Sequence, residues 1–264
     1  MLRSLKRSWC AFLGACVLLI GAAGAAYAMR VSPMVIEMET TGGSAVARIE
    51  VQNVNRGNLA FETRIYRMTY DEAGNIVETP ADDKFLVFPP QGVLAAGGRQ
   101  VIRLQWVGDP NPETSEAFYV SINQLPVEFS PSSTESVAAQ VQLLYNMRAL
   151  VVVAPPGARP DVRAAAARPI TYQAPPEPGA EPGPAREGVE VTLRNTGRRH
   201  AMMANFGWRL EGMDKQGQRL RVDIAPEELI RAVGTGYVPA LGARTFRLPV
   251  DGFGPQPIRL SFIQ

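Results

Sequence analysis

The side chains that most often carry chemistry are few in this chain, and their spacing does not bring them together. His200 is the sole histidine of 264 residues and lies in a basic turn, Arg198-Arg199-His200. Cys10 and Cys16 are the only two cysteines. A zinc, copper or haem site needs several thiolate or imidazole ligands, so no metal and no cofactor is expected. A Ser–His–acid relay would have to run through His200, and no Gly-x-Ser-x-Gly elbow supplies its nucleophile. Asp82-Asp83 and Glu227-Glu228 lie in loop-like sequence and read as solvated charges. A two-carboxylate glycosidase is compatible with the residue count, but no spacing points to one. Gly42-Gly43 and Gly97-Gly98 are turn signals, because no helical periodicity follows either to hold a phosphate. No catalytic residue is expected, which leaves binding.

The N-terminus bears on where that binding takes place. Arg3, Lys6 and Arg7 precede an apolar run from Trp9 to Ala23, and Ala26-Tyr27-Ala28 has the small-x-small form of a leader cleavage site. Residues 1–28 are therefore expected to be a signal peptide, with a retained anchor as the alternative and no permanent membrane anchor in the main reading. Both cysteines fall inside this leader, so the exported chain would be held by its core without disulfides. Losing three basic residues and no acidic ones turns the formal net charge from +2 to −1. A near-neutral surface of that kind offers no general attraction to nucleic acid.

The elements that would carry a binding surface are strands. Residues 31–39, 45–51, 61–70, 85–88, 100–106, 117–125 and 139–153 are apolar or alternating runs separated by turn residues such as Asp71-Glu72-Ala73-Gly74-Asn75 and Pro89-Pro90. Seven such runs without a helix-period segment predict an immunoglobulin-like sandwich. A second set follows at 162–172, 189–195, 202–210, 220–224, 245–250 and 258–263, interrupted by the Pro/Gly-rich stretch 175–184, which reads as a loop or linker. The fold class expected is thus all-β: two immunoglobulin-like β-sandwich domains, residues 29–155 and a smaller one at 156–264. Arg48-Ile49-Glu50-Val51-Gln52-Asn53 is echoed by Glu190-Val191-Thr192-Leu193-Arg194-Asn195, each a strand that stops at Asn before a Gly-containing turn.

Several segments resemble the periplasmic chaperones of the chaperone–usher pathway, the PapD-like family. They are Val31-Ser32-Pro33, Ile49-Glu50-Val51-Gln52-Asn53, the run from Phe88-Pro89-Pro90 through Leu94-Ala95-Ala96-Gly97-Gly98 to Val101-Ile102-Arg103-Leu104, then Glu116-Ala117-Phe118-Tyr119-Val120 and Leu125-Pro126. The second half is similar more loosely, through its Asn-x-Gly turn and Leu241-Gly242-Ala243-Arg244-Thr245-Phe246. The resemblance implies a boomerang of two domains, a periplasmic location, and pilus subunits and an outer-membrane usher as partners. It also implies donor-strand complementation, in which the last strand of the first domain fills a gap in a subunit. An exported two-domain structural or adhesin-like pilus protein is the rival.

In Val141-Gln142-Leu143-Leu144-Tyr145-Asn146-Met147 the side chains of Val141, Leu143, Tyr145 and Met147 share one face of a strand. On the family reading these are the donor side chains. On the residue pattern alone they line their own domain's core. Leu144, Leu150 and Val152 make the other face partly apolar too, so both faces need cover, and a self-capped homodimer is one way to hide such an edge. Family members anchor the client's terminal carboxylate with an Arg on the first strand and a Lys late in the last. Those positions fall on Met34 and Leu150 here, which leaves Arg148 and Arg30 as the candidate anchors and Arg148 open to being an ordinary surface arginine. Glu116 is, by position, the candidate interdomain acid.

Overall fold

The computed structural model describes residues 29–71, 74–127, 144–173, 181 and 183–263. Ten strands come from the first half: β1 (Met29–Ser32), β2 (Val35–Glu39), β3 (Val46–Asn53), β4 (Leu59–Tyr70), β5 (Ile76–Pro80), β6 (Phe85–Phe88), β7 (Gln91–Leu94), β8 (Arg99–Trp106), β9 (Glu116–Leu125) and β10 (Asn146–Ala154). They form a sandwich of one sheet ordered β1-β3-β8-β6 and another ordered β2-β10-β9-β4-β5, with β7 added to β4. Alternation in the sequence decides which side chains enter the core, since successive strand residues face opposite ways. Ile49 and Val51 of β3, Ile102, Leu104 and Trp106 of β8, Phe61 and Ile65 of β4, and Phe118, Val120 and Ile122 of β9 are buried there. Phe85, Trp106 and Phe118 meet edge-on or tilted, with ring centroids 5.1–5.6 Å apart, a geometry the ring quadrupoles favour.

The second half supplies β11 (Val162–Tyr172), β12 (Arg186–Asn195), β13 (Ala201–Met202), β14 (Gly207–Met213), β15 (Arg219–Ile224), β16 (Tyr237–Val238), β17 (Ala243–Leu248) and β18 (Arg259–Ile263). A β11-β12-β17 sheet and a β15-β14-β18 sheet enclose a core centred on Trp208, with β13 and β16 as a short separate pair. The Trp208 indole N–H is satisfied by the Met203 carbonyl at 2.9 Å.

Two expectations need correction. The run 31–39 is two strands in opposite sheets: β1 pairs with β3 while β2 pairs with β10. Pro33, which has no N–H for a ladder, stands at the crossing. The run 202–210 is likewise divided, into β13 and β14 of different sheets; of the run expected at 139–153, Val141 and Leu143 lie outside the described residues, and β10 is its described part. Four elements were not foreseen: β5, β7, the two-residue β16, and a helix α1 (Pro226–Val233) in a segment read as loop. Pro226 at the first turn with Glu227 and Glu228 behind it is a helix-start signature, and the helix buries Leu229.

The repeated strand–Asn pattern has a structural counterpart in each domain. Asn53 is fully buried, and its amide donates to the carbonyls of Gly57 (2.8 Å), Leu94 (3.0 Å) and Ala95 (3.0 Å) while its oxygen accepts from the Asn55 N–H (2.8 Å). Asn195 does the same, donating to Arg199 (2.7 Å) and Pro239 (3.1 Å) and accepting from the N–H groups of Asp161 (3.0 Å) and Gly197 (2.9 Å). Each amide ties the end of a strand to two other backbone segments. An Asp in either place would face carbonyl oxygens it cannot donate to. Asn53→Asp is therefore expected to cost about 3 kcal/mol and lower the thermal midpoint by roughly 10 °C, measured by circular-dichroism melting at pH 7. An unchanged midpoint would show that the amide donors do not hold this corner.

Candidate functional site

Strand β10 has two faces and two edges, and each has a different neighbour. Ala149, Val151 and Val153 point into the first domain's core, while Leu150 and Val152 point out of the sheet. One edge pairs antiparallel with β9 along Asn146 to Val153. The other pairs in parallel with β2, but only from Leu150 to Ala154. Backbone directions follow by alternation. The Leu150 N–H donates away from β9, to the Met34 carbonyl at 2.8 Å, whereas the Tyr145 carbonyl accepts from Gln124 of β9 at 2.9 Å. Asn146 and Arg148 therefore aim their backbone N–H and C=O at the β2 side, where no strand meets them among the described residues. Tyr145 and Met147, the two described members of the apolar row, pack half-buried on the edge of the first domain's core. Val141 and Leu143, the other two, lie outside the described residues.

The charged candidates are not gathered at this edge. Arg148 pairs with Glu78 of β5 on the outer face of its sheet. Arg30 lies on the outward side of β1, in the opposite sheet, since Met29 and Val31 take the inward positions. The two candidate anchors thus face away from each other across the sandwich. Glu116 pairs with Arg67 at 3.5 Å, a residue of the same domain. It has the parity of the inward-facing Phe118 and Val120 and so points away from the second domain. Glu116 is not the interdomain acid.

The acids that cross the joint are Glu37 and Glu39 of β2, which pair with Arg199 at 2.8 and 3.7 Å. The signal for this contact is the basic run Arg198-Arg199-His200, but nothing in the sequence marks its partners. Arg198 donates to the carbonyls of Glu113 (2.6 Å) and Pro112 (3.5 Å), and its own carbonyl accepts from the Ser115 N–H at 2.9 Å. Between these contacts, Leu150 and Val152 join Met68 and Ala117 from the first domain against Met202 and Tyr237 from the second, with Tyr70 and Tyr119 alongside. The second apolar face of β10 is therefore covered by the neighbouring domain. Tyr237 stacks on Tyr70 (6.3 Å) and on His200 (5.8 Å). Burial pushes its hydroxyl well above the usual tyrosine range. Among the described residues no group of three metal-ligating side chains occurs, and no helix is long and apolar enough to cross a membrane.

Residues 29–159 match the model of the pili and flagellar-assembly chaperone family, PapD N-terminal domain. No curated protein sequence matches the chain. Among solved structures, the class 5 fimbriae chaperone CfaA superposes with a TM-score of 0.52 at 11% identity, covering 90% of this chain and 99% of that one. A chain of the CsuC–CsuE chaperone–tip adhesion subunit pre-assembly complex from Acinetobacter baumannii gives 0.50 at 11% identity, covering 89% and 98%. A chain from the chaperone–tip adhesin complex of CFA/I fimbriae gives 0.50 at 10% identity, covering 89% and 98%. At such identities the likeness is one of fold: two β-sandwich domains over almost the whole described chain.

His200 makes the joint sensitive to acid. Its ring is 2% exposed and its Nδ1 has no partner among the described residues. Burial lowers its pKa from 6.5 to about 4, outweighing Glu37, which raises it, while Arg199 lowers it further. The unfolded chain takes up this proton near pH 6.5 and the folded one only near pH 4, so the stability from keeping the ring neutral is whole above pH 6.5 and drains as pH falls towards 4. Wild type minus His200→Gln, compared by urea unfolding at pH 7.5 and 4.5, should lose up to about 3 kcal/mol over that interval. An identical pH slope in both proteins would rule the mechanism out.

Proposed function

We propose, on the premise that the chain is a pilus-assembly chaperone belonging through residues 29–159 to the PapD N-terminal-domain family, that it binds pilus subunits by adding β10 to a subunit's incomplete sheet. The observation that carries this reading is the open half of the β10 edge. Asn146 and Arg148 offer backbone groups that no strand pairs among the described residues, beside the half-covered side chains of Tyr145 and Met147. Main-chain hydrogen bonds would supply affinity there, and alternate side chains would fill pockets in the client. Val141 and Leu143 continue the same parity and are the proposed deeper anchors, each worth about 1.5–3 kcal/mol if buried by the client.

Tip adhesin complexes are named for two of the similar structures, which makes a pilus subunit the first client class to test. Delivery to an outer-membrane usher from the periplasm is part of the same proposal. Arg148 remains the proposed carboxylate anchor, and Arg30, on the opposite sheet, does not join it. A client carboxylate would have to displace Glu78 from the Arg148 guanidinium, an exchange of one charge-assisted pair for another.

The test exploits the direction of the backbone. The Asn146 N–H faces the open edge, so a proline there removes no bond of the β9 ladder, and edge strands tolerate it. Asn146→Pro and, separately, Leu143→Asp are expected to keep the wild-type melting curve. Each should reduce recovery of co-expressed subunits from the periplasm at least tenfold. Undiminished capture by both variants would sink the donor-strand assignment.

A further inference from the structure

A cavity of about 1070 Å3 opens on the other flank of the domain joint. Its first-domain wall is Tyr70, Asp71 and Gly74, at the tip of β4. Its second-domain wall is built from the ends of β11 and β12 (Tyr172, Arg186), from α1 (Glu228, Arg231) and from β17 (Arg244 to Arg247). In the sheet order, β9 separates β4 from β10, which places this wall two strand spacings, roughly 10 Å, from β10 and further from its open edge.

Among the described residues, four arginines line the cavity against two acids. Three of the four are oriented without being neutralised. Arg244 lies between the rings of Tyr70 (4.8 Å) and Phe246 (5.1 Å) and donates to the Tyr237 carbonyl at 3.1 Å. Arg186 lies over Tyr172 at 5.1 Å, its cross-strand partner. Arg231 donates to the Glu227 carbonyl at 3.2 Å. None of these three has a carboxylate within 4 Å among the described residues, whereas Arg247 has Glu190 at 3.7 Å. Ring faces and carbonyls fix the forks in place and leave their remaining donors unspent, and such a fork matches an oxyanion with two parallel hydrogen bonds.

We propose that this cavity is a second peptide-binding site, which takes an extended segment with carboxylates spaced between aromatic or apolar side chains. The lining selects this ligand. Tyr70, Tyr172 and Phe246 give apolar surface between the guanidiniums, which suits side chains that alternate in character. Glu228 and Asp71 stand in the same walls and would repel a densely charged polyphosphate, while carboxylates several ångströms apart can avoid them. The volume, at the upper end of the ~300–1000 Å3 usual for small-molecule pockets, fits a stretch of chain better than a lone ion.

The experiment uses the full chain and a fluorescein-labelled octapeptide of alternating Asp and Tyr, followed by anisotropy in 50 and 250 mM NaCl. Wild type is expected to bind it, more weakly at the higher salt, and to ignore the matching Lys–Tyr octapeptide. Arg186→Glu/Arg231→Glu should weaken binding at least tenfold. Both side chains are exposed, and the milder Arg186→Gln/Arg231→Gln serves if the first pair melts early. Asn146→Pro should bind like wild type, so loss of the donor-edge reading and loss of this one are separable. Three results would each overturn the proposal: no binding by wild type, equal binding by both arginine variants, or displacement by tripolyphosphate at lower concentration than by unlabelled peptide.

Discussion

Strand β2 covers only half of β10, and the rest of the molecule is arranged around that mismatch. Among the described residues, the outward backbone groups from Leu150 to Ala154 are paired, and those at Asn146 and Arg148 are not. A sheet edge left open is normally a liability, since its donors and acceptors will accept any strand that fits. On this side of β10 the exposure is confined to the strand's N-terminal end. The β9 ladder behind it runs unbroken from Asn146 to Val153. The edge is thus held rigid on one side while free on the other, which is the condition under which an added strand gains hydrogen bonds without first paying to order its template.

The second domain matters to that edge through the other face of the same strand. Leu150 and Val152 would be exposed apolar side chains without Met202 and Tyr237 over them. Cover from the second domain stops short of Arg148, which is exposed and held by Glu78. Around the apolar contact, Arg199 binds two acids of β2, the strand that completes the paired half of β10. Partly exposed ion pairs of this kind contribute modestly to stability. Their geometric effect is larger, because they tie the second domain to the strand that decides where the open edge begins.

Much of the frame was legible in the sequence because β-sandwich strands advertise themselves by alternation. Ile49 and Val51 against Arg48 and Glu50 could only mean a sheet with one face buried. The Asn53 and Asn195 echo was visible as a pattern, though not what it does. A buried amide that bonds four backbone groups uses partners over forty residues away, Leu94 and Ala95 in one domain and Pro239 in the other. No local window contains them. The helix at 226–233 was missed because it is two turns long, too short for periodicity to show. The placing of Arg30 was illegible for a related reason. Proximity in a family pattern put Arg30 with Arg148, but the chain changes sheets at Pro33, and β1 belongs to the opposite layer.

The buried asparagines also bear on how a chain with no cysteine after Cys16 keeps two open-ended sandwiches in shape. A sandwich corner is where strands end and backbone polar groups lose their ladder partners. Each must find another or cost free energy. A disulfide would fix the corner by shortening the unfolded chain. Asn fixes it by matching its two donors and one acceptor to backbone carbonyls and N–H groups that would otherwise be buried without partners. Both clamps sit where β3 and β12 end, at Asn53 and Asn195. The backbone groups of each domain are thereby satisfied where the fold needs closure. Those left vacant among the described residues, at Asn146 and Arg148, stand on the part of the β10 edge that β2 does not cover.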